Sequence, residues 1–251
     1  MLGAVVGSFL TVCIYRVPKG LNIVRPGSRC TKCGFSLAWF ENIPVLSYVL
    51  LLGKCRRCGV GYGARHVWIE LAMGLVAVFL YVQWGFSFEL FFFFALASAL
   101  MVISWIDIDY QIIPDGLTLF PWVMGLILAA IFDLKDVAWF VTFTESLLAS
   151  VLGAGLLWLV AWCYSMVTGV EGLGFGDVKL IGCFGAFFGY KALLVTLFLG
   201  SFLGAMWGIG WILFKGKNKR TPIPFGPFLC LGLIGYLMHV HDVVLGPLLN
   251  F

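Results

Sequence analysis

Charge is what this chain has least of. Its 251 residues include 16 Lys and Arg, 12 Asp and Glu and 3 His, so charged residues make up 11%, against about 25% in soluble domains. With 62% apolar residues, no water-soluble core of this length could hide so much Leu, Phe, Val and Trp. The same figures exclude disorder, collagen-like repetition and a coiled coil. His66, His239 and His241 are too scattered for a metal site and read as interfacial. No glycine-rich nucleotide-binding fingerprint in a strand–helix–strand context is visible. The first apolar run has neither a basic n-region nor a small-residue cleavage site, so it is not a standard secretory signal peptide. An integral membrane protein is what remains.

Near-continuous apolarity picks out eight windows: 1–15, 67–84, 90–106, 116–132, 143–167, 178–189, 192–214 and 224–239. A spanning helix takes about 20 residues, so the first window is short. The sixth, interrupted by Gly182, Gly185 and Gly189, reads as tilted or partly re-entrant. Nine of the 16 basic residues lie between Arg16 and Arg65, where Glu41 is the only acid. The positive-inside rule places that stretch in the cytoplasm. Alternation then puts the 107–115 and 168–177 turns there too, with the basic run Lys215, Lys217, Lys219 and Arg220. Lys135 and Lys191 are left outside. These basic runs are read as topology and not as nucleic-acid binding. The expected architecture is an all-α polytopic membrane protein of about eight transmembrane helices, carrying a small zinc-ribbon-like cytoplasmic domain. Its parts are a first transmembrane segment (1–15), a cytoplasmic zinc-binding domain (16–66) and a helical membrane region (67–251).

About fifty residues with few large apolar groups cannot easily build a core unaided. The sequence supplies a staple: Cys30 and Cys33, then Cys55 and Cys58, two CxxC knuckles separated by a 21-residue loop. This approximates the spacing of a structural four-thiolate zinc site. Gly34 and Gly59 follow the knuckles and permit the tight turn that aims backbone amides at sulfur. Lys32, Lys54, Arg56 and Arg57 offset the charge of such a centre. Two disulfides are the alternative, disfavoured on a reducing face. Cys13, Cys163, Cys183 and Cys230 lie in apolar runs and read as small hydrophobes.

Two groups of acids abut the apolar windows. One holds Asp107, Asp109 and Asp115; the other ends in Gly174-Phe175-Gly176-Asp177. Ionisable groups at membrane depth are functional candidates. Two carboxylates held about 3 Å apart cannot both ionise readily. One then serves as a general acid while the other activates water. Asp107 and Asp109 point about 200° apart on a helix, so the residues alone do not choose between them. Asp115, after Pro114, reads as a helix cap, and so could Asp177. Against capping at Asp177, Gly172, Gly174 and Gly176 bare the backbone for an extended peptide. Lys179 reads as snorkelling to the surface, and Gly200, Gly204 and Gly208 as a close helix seam. A proton-coupled transporter relaying through Asp107, Asp109 and Asp177 is the rival reading; a membrane-anchored zinc-ribbon adaptor whose acids only cap helices is another.

Taken in order, these motifs resemble the bifunctional type IV prepilin peptidases, aspartic proteases of the GxGD class. The likeness runs through Gly7-Ser8-Phe9-Leu10, Ile14-Tyr15-Arg16-Val17-Pro18, the CxxC pairs and Glu41-Asn42-Ile43-Pro44. It continues through the run to Ile113-Pro114-Asp115, Gly174-Phe175-Gly176-Asp177, and Ile223-Pro224-Phe225-Gly226-Pro227-Phe228. The resemblance implies that Asp107 and Asp177 are catalytic, within a peptidase core of about 90–214. Gly174, Gly176 and Lys179 would form the substrate-binding motif. It implies pilin or pseudopilin precursors as substrates, cut at the cytoplasmic face of the bacterial inner membrane. The new N-terminus would be methylated from S-adenosylmethionine. A methyl-donor site is not visible in the residues. Glu70 is one candidate, and pairing with Arg65 or Arg16 is its alternative.

Overall fold

The computed structural model describes residues 1–30, 32–132, 141–169, 172–215 and 223–245. Lys135, Lys217, Lys219 and Arg220 lie outside the described residues, as does the side chain of His241. Among the described residues the regular elements are helical, with two isolated β-bridges. In chain order they are α1 (Leu2–Arg16), α2 (Leu46–Leu50), α3 (Arg65–Trp84), α4 (Phe88–Tyr110), α5 (Leu119–Phe132), α6 (Phe143–Thr168), α7 (Phe175–Lys215) and α8 (Gly226–Leu245). These are not one-for-one the eight apolar windows. The five-residue α2 lies in the polar stretch, and windows six and seven run together as α7.

Five segments are long and apolar enough to cross a bilayer: Leu2–Lys19, Arg65–Trp84, Phe88–Tyr110, Phe143–Thr168 and Phe175–Leu213. Asp115–Ile131 and Gly226–His239 are shorter apolar helices. Large apolar side chains such as Leu75 and Val82 on α3, and Val151, Leu152 and Trp158 on α6, stand exposed. In water such faces would be a liability; lipid is the solvent that suits them.

The chain divides into two compact units, Met1–Ile106 and Asp107–Phe251. In the first, α1 packs on α3 along small residues. A Cβ at Gly7 would lie 2.8 Å from the Glu70 Cα, and one at Gly3 would lie 2.6 Å from the Ala77 Cβ.

In the second unit α7 packs on α5, α6 and α8. Its helix breaks at Gly189, whose φ of 73° and ψ of −170° suit only glycine. A side chain there would also strike the Glu145 carboxylate, 2.6 Å away. Gly185 lets α7 approach the Ala149 carbonyl of α6, and the buried Ser146 hydroxyl donates to the Ala186 carbonyl at 2.6 Å. The expected glycine seam is present: Gly200 and Gly204 meet Phe228, and Gly208 meets Ile223. Thr142 caps α6 by accepting the Glu145 amide at 3.4 Å, and left-handed Gly169 ends it at φ 69°.

Candidate active site

Asp107 lies in the last turn of α4 and is 6% exposed. Helix α4 stops just beyond it, at Gln111 with φ 55°, and Pro114 bars any continuation. The Asp107 Oδ2 accepts the amide of Gly226, 2.9 Å away. Gly226 opens α8, so a carboxylate 119 positions earlier satisfies one of that helix's orphan donors. A Cβ at Gly226 would lie 2.9 Å from the same oxygen. Glycine is required there for the approach. Asp109 is exposed, so burial separates the two acids that spacing alone did not.

Asp177 is the third residue of α7, also 6% exposed. Its amide donates to the Gly174 carbonyl at 3.1 Å, and its carboxylate turns back toward the Gly174 backbone. That arrangement has the shape of the return half of a capping box. It occupies one oxygen only: Oδ1 is buried with no hydrogen-bond partner among the described residues. The Asp107 carboxylate is near enough for its charge to act on Asp177.

Ile113 links the two acids. Its side chain lies 2.9 Å from where a Gly176 Cβ would stand and 3.3 Å from where a Gly226 Cβ would stand. The sequence reading left Gly226 without a role and did not single out Ile113. Their signals, the Ile-Pro and Pro-Phe-Gly-Pro elements, were visible only as parts of the resemblance.

The surroundings of three groups add to these expectations. Ile113 fills the face of Gly176; among the described residues Gly174 has only the Asp177 carboxylate and the Gly176 amide nearby, and Gly172 is covered by the Tyr164 ring. Asp115 does not cap a helix with its side chain. It pairs with Lys179 at 2.5 Å, whose ammonium also lies over the Phe175 ring, 4.8 Å from its centroid. One Glu70 oxygen has a backbone partner: its Oε2 accepts the Val45 amide at 2.8 Å. Arg16 donates to the Asn22 and Pro26 carbonyls, and Arg65 lies 4.1 Å over the Trp105 ring. Val45, at φ 62° and ψ −49°, is a strained backbone for a β-branched residue.

The cysteine knuckles share one backbone design. The Cys30 amide donates to the Phe35 carbonyl and the Gly34 amide to the Cys30 carbonyl; Cys55, Val60 and Gly59 repeat both bonds, all four at 2.8 to 2.9 Å. Gly34 and Gly59 take left-handed φ values of 69° and 68°. A β-bridge closes each knuckle, Arg29 to Ser36 and Lys54 to Gly61. The four sulfurs lie within 4.8 Å of one another, with Cys30 to Cys58 at 3.8 Å and Cys33 to Cys55 at 4.0 Å. A tetrahedral ion with bonds of about 2.3 Å needs sulfurs about 3.8 Å apart, so the cluster fits a metal ion, and all four thiols are free.

The Cys33 and Lys32 amides hold the Cys30 thiol down at about 6. At Cys58 the Val60 amide works the same way, but desolvation and the other three sulfurs push the thiol up to about 11. Arg57 lies over Phe35 and Arg56 over Phe40. The cationic knuckle residues thus also brace the fold.

Known proteins sort these features. Residues 1–84 match the bacterial peptidase A24 N-terminal domain, and residues 94–209 match the type IV leader peptidase family. A Pseudomonas aeruginosa protein named prepilin leader peptidase/N-methyltransferase is 36% identical over 254 residues, covering 92% of this chain and 86% of its own. A Dichelobacter nodosus protein of the same name is 33% identical over 278 residues, covering 100% and 93%. An Aeromonas salmonicida protein so named is 34% identical over 260 residues, covering 92% and 86%. No solved structure matches. Both matching families are peptidase families, and the proton-relay rival gains no support from them. Along nearly its whole length, this chain belongs to the type IV leader peptidase family.

Proposed function

We propose that this protein is a membrane-embedded aspartic endopeptidase that removes the short basic leader from type IV prepilins or pseudopilins. It then N-methylates the new amino terminus from S-adenosylmethionine. Asp107 and Asp177 are the catalytic pair: one carboxylate takes a proton from water as the water attacks the scissile carbonyl, while the other gives its proton to the developing oxyanion; as the C–N bond then breaks, the proton taken from water passes to the leaving amine and the re-forming carbonyl returns a hydroxyl proton to the second carboxylate. The single observation that carries this reading is the burial of two acids, 70 positions apart in sequence, beside two glycines, Gly226 and Gly176, that meet one shared side chain. The unpartnered Asp177 Oδ1 is suited to receive water or substrate. Gly174 is the place where a substrate backbone could lie beside that oxygen.

Residues 16–66 form the methyltransferase-associated domain, stapled by a structural zinc ion on Cys30, Cys33, Cys55 and Cys58. Four thiolates leave no open position for a metal-bound nucleophile. The peptidase core runs from about 90 to 214. With α7 counted as two arms about Gly189, the apolar helices give eight spans. The basic stretch, and with it both acids, faces the cytoplasm from the bacterial inner membrane. Partners are leader-bearing precursors and lipid, not nucleic acid.

Purified protein incubated with a prepilin, with and without S-adenosylmethionine, tests the reading by mass spectrometry of the product. Leader loss alone without the cofactor, and leader loss plus one methyl with it, are expected. An intact precursor in both arms contradicts the proposal.

A further inference from the structure

We propose that Ile113 is a positioning residue, a rigid wedge that sets the separation of the two aspartates by packing at once on the backbone beside each. The inference rests on the Asp107–Asp177 reading above. Ile113 is 9% exposed while its neighbour Ile112 is 47% exposed, so the three residues between the end of α4 and Pro114 turn one isoleucine inward. The ends of that short segment are fixed by the left-handed Gln111, whose amide donates to the Asp107 carbonyl at 2.9 Å, and by Pro114.

From there the side chain reaches both supports. Its Cβ and Cγ1 stand 2.9 and 3.1 Å from an ideal Cβ on Gly176, the residue before Asp177. Its Cδ1 stands 3.3 Å from one on Gly226, whose amide holds Asp107. Neither glycine can gain a side chain without pushing on Ile113. Branching at Cβ restricts χ1 of isoleucine, so it transmits position better than a leucine, branched one carbon further out. Valine keeps Cβ and both Cγ atoms, and with them the Gly176 contact.

The test is steady-state cleavage of a leader-bearing precursor across a pH series, using wild type, Ile113→Val, Ile113→Leu and Ile113→Ala in detergent or nanodiscs. Misplacing a reacting group by about 1 Å costs on the order of 100-fold. Ile113→Ala should therefore lose about that much kcat and Ile113→Leu about tenfold, with KM little changed. The limbs of the pH–rate profile should move, because carboxylates held at a new separation titrate differently. Ile113→Val should stay within about threefold of wild type.

Ile113→Leu conserves core volume and should fold, so it decides the matter alone if Ile113→Ala does not accumulate. Wild-type kcat with a superimposable pH profile in Ile113→Leu overturns the proposal. So does lost activity that tracks lost folded protein while the pH profile stays put. A lowered KM with kcat retained also overturns it, because Ile113 would then be a plug over Gly176. Asp107→Asn and Asp177→Asn run alongside: cleavage by either sinks the catalytic-pair reading itself, whereas dead Asn variants with indifferent Ile113 variants sink only the wedge.

Discussion

The two chemically equipped regions of this protein are assembled in opposite ways. In the cysteine-bearing segment, the four thiols come from two short loops, each shaped by its own local hydrogen bonds and one left-handed glycine. In the aspartate-bearing unit, the acids sit on α4 and α7, and groups far away in sequence complete their surroundings: the Gly226 amide donates to Asp107, and the Ile113 side chain fills the face of Gly176 beside Asp177. A local site is a repeated spacing. A remote site depends on the places where side chains are missing and on what fills them. Substitutions should therefore separate the regions by activity, by metal content and by stability.

The largest effect is expected at the acids. Asp107→Asn or Asp177→Asn should lower leader cleavage at least about 10³-fold, yet leave methylation of an already trimmed peptide close to wild type. Separate assays on precursor and trimmed substrate check this, and loss of both activities would erase the contrast. Next comes Gly226→Ala, which drives a methyl group to within 2.9 Å of the Asp107 oxygen and should cost on the order of 100-fold in kcat.

Cys55→Ser removes the most buried of the four clustered thiols. It should abolish stoichiometric zinc, measured by elemental analysis of the intact protein, and reduce methylation several-fold with a smaller effect on cleavage. Acidification acts in the same direction, since metal binding requires thiolates. The Cys30 thiolate, stabilised by the Cys33 and Lys32 amides, survives down to about pH 6. Cys58, with its thiol at about 11, must shed its proton to bind. Zinc retention against a chelator should therefore weaken as pH falls. The smallest effect is expected at Lys179→Gln. Its partner Asp115 is 63% exposed, and such pairs contribute about 0–1 kcal/mol. Cleavage should change less than about threefold, and a larger loss would return Lys179 to the substrate site.

What could be read in advance follows the same division. Helix positions, the polar segment and the thiol cluster were visible because periodicity and CxxC spacing are short-range signals. The turn chemistry of Gly34 and Gly59 was visible for the same reason. The pairing of Asp115 with Lys179 was not, because 64 positions separate them and local pattern favoured a cap. Nor was the filling of Gly176 by Ile113: an absent side chain announces a close approach but not the group that makes it. The seam of Gly3 and Gly7 against α3 escaped likewise. Asp107 was separated from Asp109 only by family likeness, and burial supplies the physical reason.

Whether Asp107 and Asp177 act as one catalytic unit is decided by a double-mutant cycle on precursor cleavage: Asp107→Asn, Asp177→Asn and the two combined, assayed on protein shown to be inserted and folded. Groups acting as a unit are strongly non-additive, so the double variant should be no slower than either single one. Losses that multiply, or substantial cleavage by either single variant, would contradict it.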